Sequence, residues 1–326
     1  MTSLGAAALK SGILLFLLLT ACAYMTLLER RLLGKFQIRH GPNRVGPFGL
    51  LQPLADGIKL IFKEDFAPAR VDLVVYWLAP AISMVAALLV YAVIPFGPEV
   101  TLFGERVPLY LADVNIGILV VLAASSVGVY GIILGGWSSN NKYSLLGSLR
   151  SSAQLISYEL ALSLAVIAVV LTAGSLSLVE IVKAQERLWF VALQPLGFVI
   201  FLIAAVAETN RAPFDLPEAE QELIAGYQTE YGGFKFAMFY IGEYVAIMTM
   251  SALATTLFWG GWQGPWLPPV VWFAVKTFIF IFFFIWIRAT LPRVRHDQLM
   301  AFGWKLLVPL GLLNVMVTAV IVVLGQ

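Results

Sequence analysis

Carboxylates are scarce in this chain and unevenly placed. Of 19 Asp and Glu among 326 residues, Glu208, Asp215, Glu218, Glu220, Glu222 and Glu230 share one stretch, ETNRAPFDLPEAEQELIAGYQTE, with Arg211 its sole cation. Apolar runs border the stretch on both sides, so these acids stand against a membrane. Like charges held close beside a low-dielectric slab disfavour full ionisation, which suits groups that take up and pass on protons. A solvated acidic loop is the bland alternative. If Pro217 opens a helix, Glu218 and Glu222 share a face at i, i+4 and Glu220 points away. Like charges at that spacing cost a helix a few tenths of a kcal/mol.

Three more ionisable groups, Glu159, Glu243 and Lys276, lie within apolar runs. Each costs about 2.5–3.5 kcal/mol at a helix centre on insertion scales, so each must pair, neutralise or face water. Glu159 and Glu243 sit about two turns in from the ends of their runs, too deep to reach the surface unaided. Both read as proton-exchanging groups. For Glu243 the alternative is a buried structural pair with Lys276; for Glu159 no partner is evident.

The elements that must hold these groups are membrane helices. A mean hydropathy of +0.88 with 12% charged residues excludes an ordinary soluble domain. It implies an all-α polytopic membrane protein, a single integral membrane domain over 1–326. Apolar stretches at about 9–29, 73–95, 114–136, 153–173, 189–207, 236–259, 268–290 and 303–325 predict eight transmembrane helices. The loops near 30–72, 137–152, 208–235 and 291–302 belong on one side with most of the Lys and Arg. The opposite side holds only Lys10, Arg106, Lys183 and Arg187. By the positive-inside rule those four loops are cytoplasmic and both termini lie outside. The first run lacks a basic flank and a small-residue cleavage site, so it is expected to stay as a span.

Composition also limits the chemistry. One cysteine, Cys22, excludes an internal disulfide and any four-cysteine iron–sulfur or zinc site. The two histidines, His40 and His296, fall in polar connections, which argues against an intramembrane haem. No GxGxxG or Walker sequence is present. Any electron carriers must therefore belong to partners, and nothing suggests nucleic acid.

The first cytoplasmic loop carries its own element. In PLADGIKLIFK, Leu54, Ile58, Ile61 and Phe62 fall on one face, with Asp56, Lys59 and Lys63 on the other. Eleven residues are too few to span, so the expectation is a short amphipathic interfacial helix after the first span. A soluble helix packed on another subunit is the alternative. The turn-rich lead-in Gly41-Pro42-Asn43-Arg44-Val45-Gly46-Pro47 folds sharply before it.

Four segments carry a family resemblance: ERRLLGKFQIRHGPNRVGPFGLLQPLADGIKLIFKED (29–65), GWSSNNKYSLLGSLRSSAQLISYEL (136–160), AETNRAPFDLPEAEQELIAGYQTEY (207–231) and RATLPRVRHDQLMAFGWK (288–305). In order and loop length they resemble the H-subunit family of respiratory complex I, the proton-pumping NADH:quinone oxidoreductase, known as subunit 1 in mitochondria. The resemblance covers essentially the whole chain. It implies eight spans with a surface helix after the first, and a cavity that admits ubiquinone or menaquinone from the bilayer. Arg30, Arg39, Asp56 and Lys59 match family positions along that cavity and its mouth. Glu159, Glu208, Glu218, Glu220, Glu222, Glu230 and Glu243 match a chain of acids leading toward antiporter-like subunits, and Asp215 lies on the same loop. Arg288, Arg293 and Arg295 match a basic loop bracing the peripheral arm. His296 stands where many members have tyrosine, so no chemistry is assigned to it.

The resemblance further implies that this chain binds no redox cofactor itself. Quinone is the substrate, while iron–sulfur clusters and FMN reside in partner subunits. The implied partners are the peripheral-arm quinone-site and iron–sulfur subunits, small and antiporter-like membrane subunits, and lipid. The implied location is a bacterial inner membrane with periplasmic termini. The membrane subunit of an energy-converting hydrogenase shares the scaffold but usually diverges in the SSNNKYSLLGSLR and PFDLPEAEQEL segments. A stand-alone proton-coupled transporter fits the buried acids but not the bland outer loops. A passive anchor for a peripheral enzyme gives no reason to bury Glu159 and Glu243.

Overall fold

The computed structural model describes residues 3–102, 105–215 and 225–324. Its architecture is helical. The first helix, α1 (Ser3–Phe36), runs past the first apolar stretch because Glu29, Arg30, Arg31 and Lys35 are good helix formers that carry it beyond the slab. The amphipathic segment folds as α2 (Gln52–Phe62), with Pro53 in its first turn. None of its residues is buried, and Leu54, Ile61 and Phe62 are largely exposed, as expected of a helix whose apolar face meets lipid or a partner.

Next come α3 (Leu73–Leu89) and α4 (Gly117–Ser138), which pack along their lengths. Asp72 caps α3 by accepting from the Val74 and Val75 amides at 3.1 and 3.3 Å. Gly131 permits the close crossing of α3 and α4: a Cβ there would lie 2.8 Å from the Ala79 carbonyl oxygen. Between them the backbone forms a small antiparallel ribbon, β1 (Val100–Leu102) with β2 (Glu105–Val107), the one departure from helix and loop among the described residues.

The fourth predicted span is longer than expected. Helix α5 (Lys142–Ala173) starts well before 153, so most of the predicted 137–152 loop is helix. Asn141 caps it, accepting from the Tyr143 amide at 2.9 Å, and Gly174 ends it with φ of 70°. Short helices α6 (Leu178–Ala184) and α7 (Phe190–Leu193) follow. The fifth predicted span is then broken at Gln194. Its body is α8 (Pro195–Glu208), begun by Pro195, which lacks an amide proton to continue the preceding turn. Fourteen residues reach about 21 Å, less than a hydrocarbon core of about 30 Å. Among the described residues, seven other helices are long and apolar enough to cross.

Two of these are α9 (Gly233–Phe258) and α10 (Pro269–Thr290). The last span starts earlier than predicted: α11 (His296–Phe302) continues through a π turn at Gly303–Leu307 into α12 (Val308–Leu324). Helix α9 is central. Of its most apolar window 72% is buried, against 22% for α1 and 28% for α10. Its Tyr244, Met248 and Phe258 share a core with Tyr158 and Ala165 of α5 and Phe201 and Ala204 of α8. Small alanines at the α5–α8 seam let the helices approach closely. Because α9 is enclosed, any charge it carries must be compensated from neighbouring elements.

Candidate functional site

One turn of α9 presents Tyr240, Glu243 and Tyr244 toward the ends of α1 and α10 and the segment after α8. The Arg211 guanidinium forms ion pairs with Glu243 (Nε–Oε1 2.5 Å) and with Glu29 of α1 (Nη1–Oε1 3.0 Å). Glu29 also accepts from Arg288 of α10 and, through Oε2, from the Tyr244 hydroxyl at 2.6 Å. The side chains of Arg211, Glu29 and Glu243 are 7%, 5% and 11% exposed, so this is a buried ionic junction. Arg211 lies over the Tyr244 ring, 4.6 Å from its centroid. Burial opposes the charge on Arg211, but Glu243 and Glu29 outweigh it and hold the guanidinium well above its ordinary pKa.

This arrangement rules out the alternative of a Glu243–Lys276 pair. Lys276 instead donates to the carbonyl oxygens of Trp259, Gly261 (3.1 Å) and Gln263 (2.6 Å), and lies 4.2 Å from the Trp189 ring centroid. These carbonyls follow the C-terminus of α9, where helix dipole and unpaired carbonyls attract a cation. Periodicity cannot distinguish such a capping lysine from a paired one.

The second group of acids is built differently. Ser125 and Ser126, adjacent on α4, point to two helices. Ser125 donates to Glu208 of α8 at 2.7 Å, and Ser126 donates to Glu159 of α5. The other Glu208 oxygen is buried with no hydrogen-bond partner among the described residues. It belongs to a cavity of about 90 Å³ lined by Ser83, Ser125, Glu208, Asn210, Glu243 and Thr249 among others. Its wall is mostly apolar, but the space is large enough for water and these side chains offer it polar partners. Glu208 and Glu243, separate in sequence, therefore line one cavity, and Glu243 joins it to the ionic junction.

A family model described as NADH dehydrogenase matches residues 9–319. The chain is 58% identical over 315 residues to the H subunit (copy 1) of the NADH-quinone oxidoreductase of Geobacter metallireducens, covering 97% of this chain and 96% of that one. It is 59% identical over 309 residues to the corresponding copy 2 of Geobacter sulfurreducens (95% and 94% covered), and 57% identical over 300 residues to the H subunit of Protochlamydia amoebophila (92% of each). The chain belongs to the H-subunit family of NADH-quinone oxidoreductase. It is thus a membrane component of an oxidoreductase complex.

The remaining residues singled out from the sequence are dispersed over one end of the bundle. Arg30 of α1 pairs with Asp56 of α2 at 2.7 Å, and Gln52 donates to the other Asp56 oxygen at 2.9 Å. Lys59 is exposed on α2. Arg39 is not brought to that seam. Its Nε donates to Gln37 at 2.8 Å, and it faces a depression of about 520 Å³ with Arg31, Lys35 and His40. Asp215 pairs with Arg293 at 3.0 Å, and the Val294 amide donates to the Pro213 carbonyl at 3.1 Å, joining two loops. Arg295 pairs with nearby Asp297, at 3.2 Å. Glu230 accepts from Asn141 at 2.7 Å. Glu218, Glu220 and Glu222 lie outside the described residues.

Sequence reasoning passed over Glu29, Tyr244, Ser125 and Ser126. Glu29 borders a basic loop and reads as solvated. The paired serines in an otherwise apolar α4 were an available signal, since hydroxyls inside a span need partners.

Proposed function

We propose that this chain, as the H subunit of an NADH-quinone oxidoreductase, frames the entrance through which quinone leaves the bilayer and couples its reduction to proton movement. Reduction of a quinone to a quinol takes two electrons and two protons. The electrons come from iron–sulfur clusters, fed by FMN, in partner subunits, because one cysteine cannot ligate such a cluster. The head group enters at the α1–α2 seam past Arg30, Asp56 and Lys59 and passes Arg39. Protons use Glu230, Glu208, Glu159 and Glu243, with Asp215, Glu218, Glu220 and Glu222 on the connecting segment. Arg293 and Arg295 brace the peripheral arm, and Arg288 does so from the edge of the ionic junction. Antiporter-like subunits receive the effect. The Lys and Arg asymmetry puts both termini on the periplasmic side of a bacterial inner membrane.

The observation that carries this reading is the cavity shared by Glu208 and Glu243, with a Glu208 oxygen free to meet water. A hydroxyl-bound carboxyl, Glu208, facing a space large enough for water beside the arginine-paired Glu243 supports a proton route between the two acids. Glu208→Gln and Glu159→Gln in the assembled complex, reconstituted in liposomes, test it. Expected are full assembly, normal electron transfer from NADH to ferricyanide, and loss of most quinone-coupled proton uptake. Normal proton uptake per quinone reduced in both variants sinks the reading.

A further inference from the structure

Lys235, in the first turn of α9, is 2% exposed, yet the sequence gives it no obvious partner. Its Nζ meets Asp65 at 2.8 Å, on the link between α2 and α3, and lies 4.8 and 4.4 Å from the ring centroids of Tyr76 and Trp77 in α3. A buried ammonium is tolerated only where an anion and aromatic faces replace water, so three chain segments are bound at one point.

The contacts continue from there. The Tyr76 hydroxyl donates to the backbone carbonyl of Glu230, and its ring stacks on Tyr231 at 4.2 Å. The Tyr231 hydroxyl meets Ser138 at the end of α4 at 3.0 Å. The Glu230 carboxylate takes the Asn141 amide at the start of α5. At the other end, α2 buries none of its own residues; it rests against α1 and α9 and is tied by Arg30–Asp56 and by the link that Lys235 grips. The chain returns there as well: a Cβ on Gly233 would lie 3.5 Å from the Lys63 carbonyl oxygen.

We infer that Lys235 is a positioning residue that ties the surface helix α2 to the segment ending at Glu230, so that displacement of one is transmitted to the other. The functional consequence rests on the reading above, in which α2 frames quinone entry and Glu230 belongs to the proton path. Coupling between sites needs a physical connection with a bias at each end, and this cluster supplies one.

The test uses the assembled enzyme in lipid, with hydrogen–deuterium exchange of residues 52–62 and 226–231 and steady-state quinone kinetics. Lys235→Met is expected to speed exchange several-fold in both segments and to raise the quinone KM more than it changes kcat. Lys235→Arg restores both. Two milder variants each cut one side and guard against failed assembly. Asp65→Asn speeds exchange in 52–62 alone, and Tyr76→Phe in 226–231 alone. Faster exchange confined to one segment in Lys235→Met, or no change in the matching segment of the milder pair, overturns the proposal. If exchange follows expectation while KM stays fixed, the tie stands and the role of α2 in quinone entry falls.

Discussion

The ionic junction and the cavity beside Ser125 share Glu243 yet handle carboxyls in opposite ways. Around Glu29 and Glu243 the protein assembles two guanidinium groups and a tyrosine, so four chain segments meet and negative charge is met by positive charge from two of them. Among the described residues, Glu159 and Glu208 are each met by a serine hydroxyl, and Glu208 also faces the cavity. A cation compensates a carboxylate and favours its ionised form. A hydroxyl can donate to a carboxylate or accept from a carboxylic acid, so it serves both. On the proposed reading Glu29 belongs to a structural clamp, Glu159 and Glu208 are placed to exchange protons, and Glu243, paired with Arg211 but also lining the cavity, links the two.

The sharpest way to break that contrast is Arg211→Met. It leaves Glu29 and Glu243 buried with a cation removed, and losing one partner of a buried pair costs about 3–5 kcal/mol. The expected result is a large fall in the thermal stability and yield of assembled complex. Retention of both places the junction among dispensable contacts. Glu208→Gln keeps shape and the Ser125 contact but cannot exchange a proton. Coupled quinone reductase activity should fall by about tenfold or more, near 1.4 kcal/mol in barrier, with assembly intact. Stability lost in place of activity makes Glu208 structural.

Ser125→Ala is subtler. Removing one hydrogen bond to a buried acid costs about 1 kcal/mol, and coupled activity should fall several-fold while the complex still assembles. Salt and pH sharpen the comparison further. The half-exposed Arg30–Asp56 pair contributes at most about 1 kcal/mol to stability, so Asp56→Asn should leave melting nearly unchanged and raise the quinone KM, an effect that shrinks as salt is added. For Arg211 the folded pKa lies above the unfolded one, so its stabilisation is fully present below the unfolded value. It fades only as pH rises through the higher folded value. Arg211 should therefore add no slope to a melting-temperature profile between about pH 5 and 9. A slope in that range that disappears in Arg211→Lys contradicts this assignment.

Much of the fold was legible because lipid imposes a simple rule. A span must satisfy its own backbone, so apolar length alone announces it. The places where that rule misled are places where other forces act. Helix α5 extends into a serine-rich stretch because Ser144, Ser148, Ser151 and Gln154 are buried against other parts of the chain, such as the Ala207 and Phe214 carbonyls that accept from Gln154. Pro195 divided the fifth span through its missing amide proton.

For the candidate site, the acids stood out by scarcity, since each charge in an apolar chain needs an explanation. Their partners did not. Glu29 and Arg211 are 182 positions apart, and Ser125 and Glu208 are 83 apart. Nothing local in the sequence marks either pairing.

The sequence by itself determined the helical membrane architecture, the amphipathic α2, the family and the identity of the acids, because hydropathy, periodicity and motif are properties of contiguous residues. Only the tertiary structure decided which acids face cations and which face hydroxyls, and that Lys276 caps α9 while Lys235 clamps α2. Those assignments depend on which helix ends meet across the bundle. In a low-dielectric interior, that meeting sets whether a carboxyl is neutralised by a cation or left to a hydroxyl.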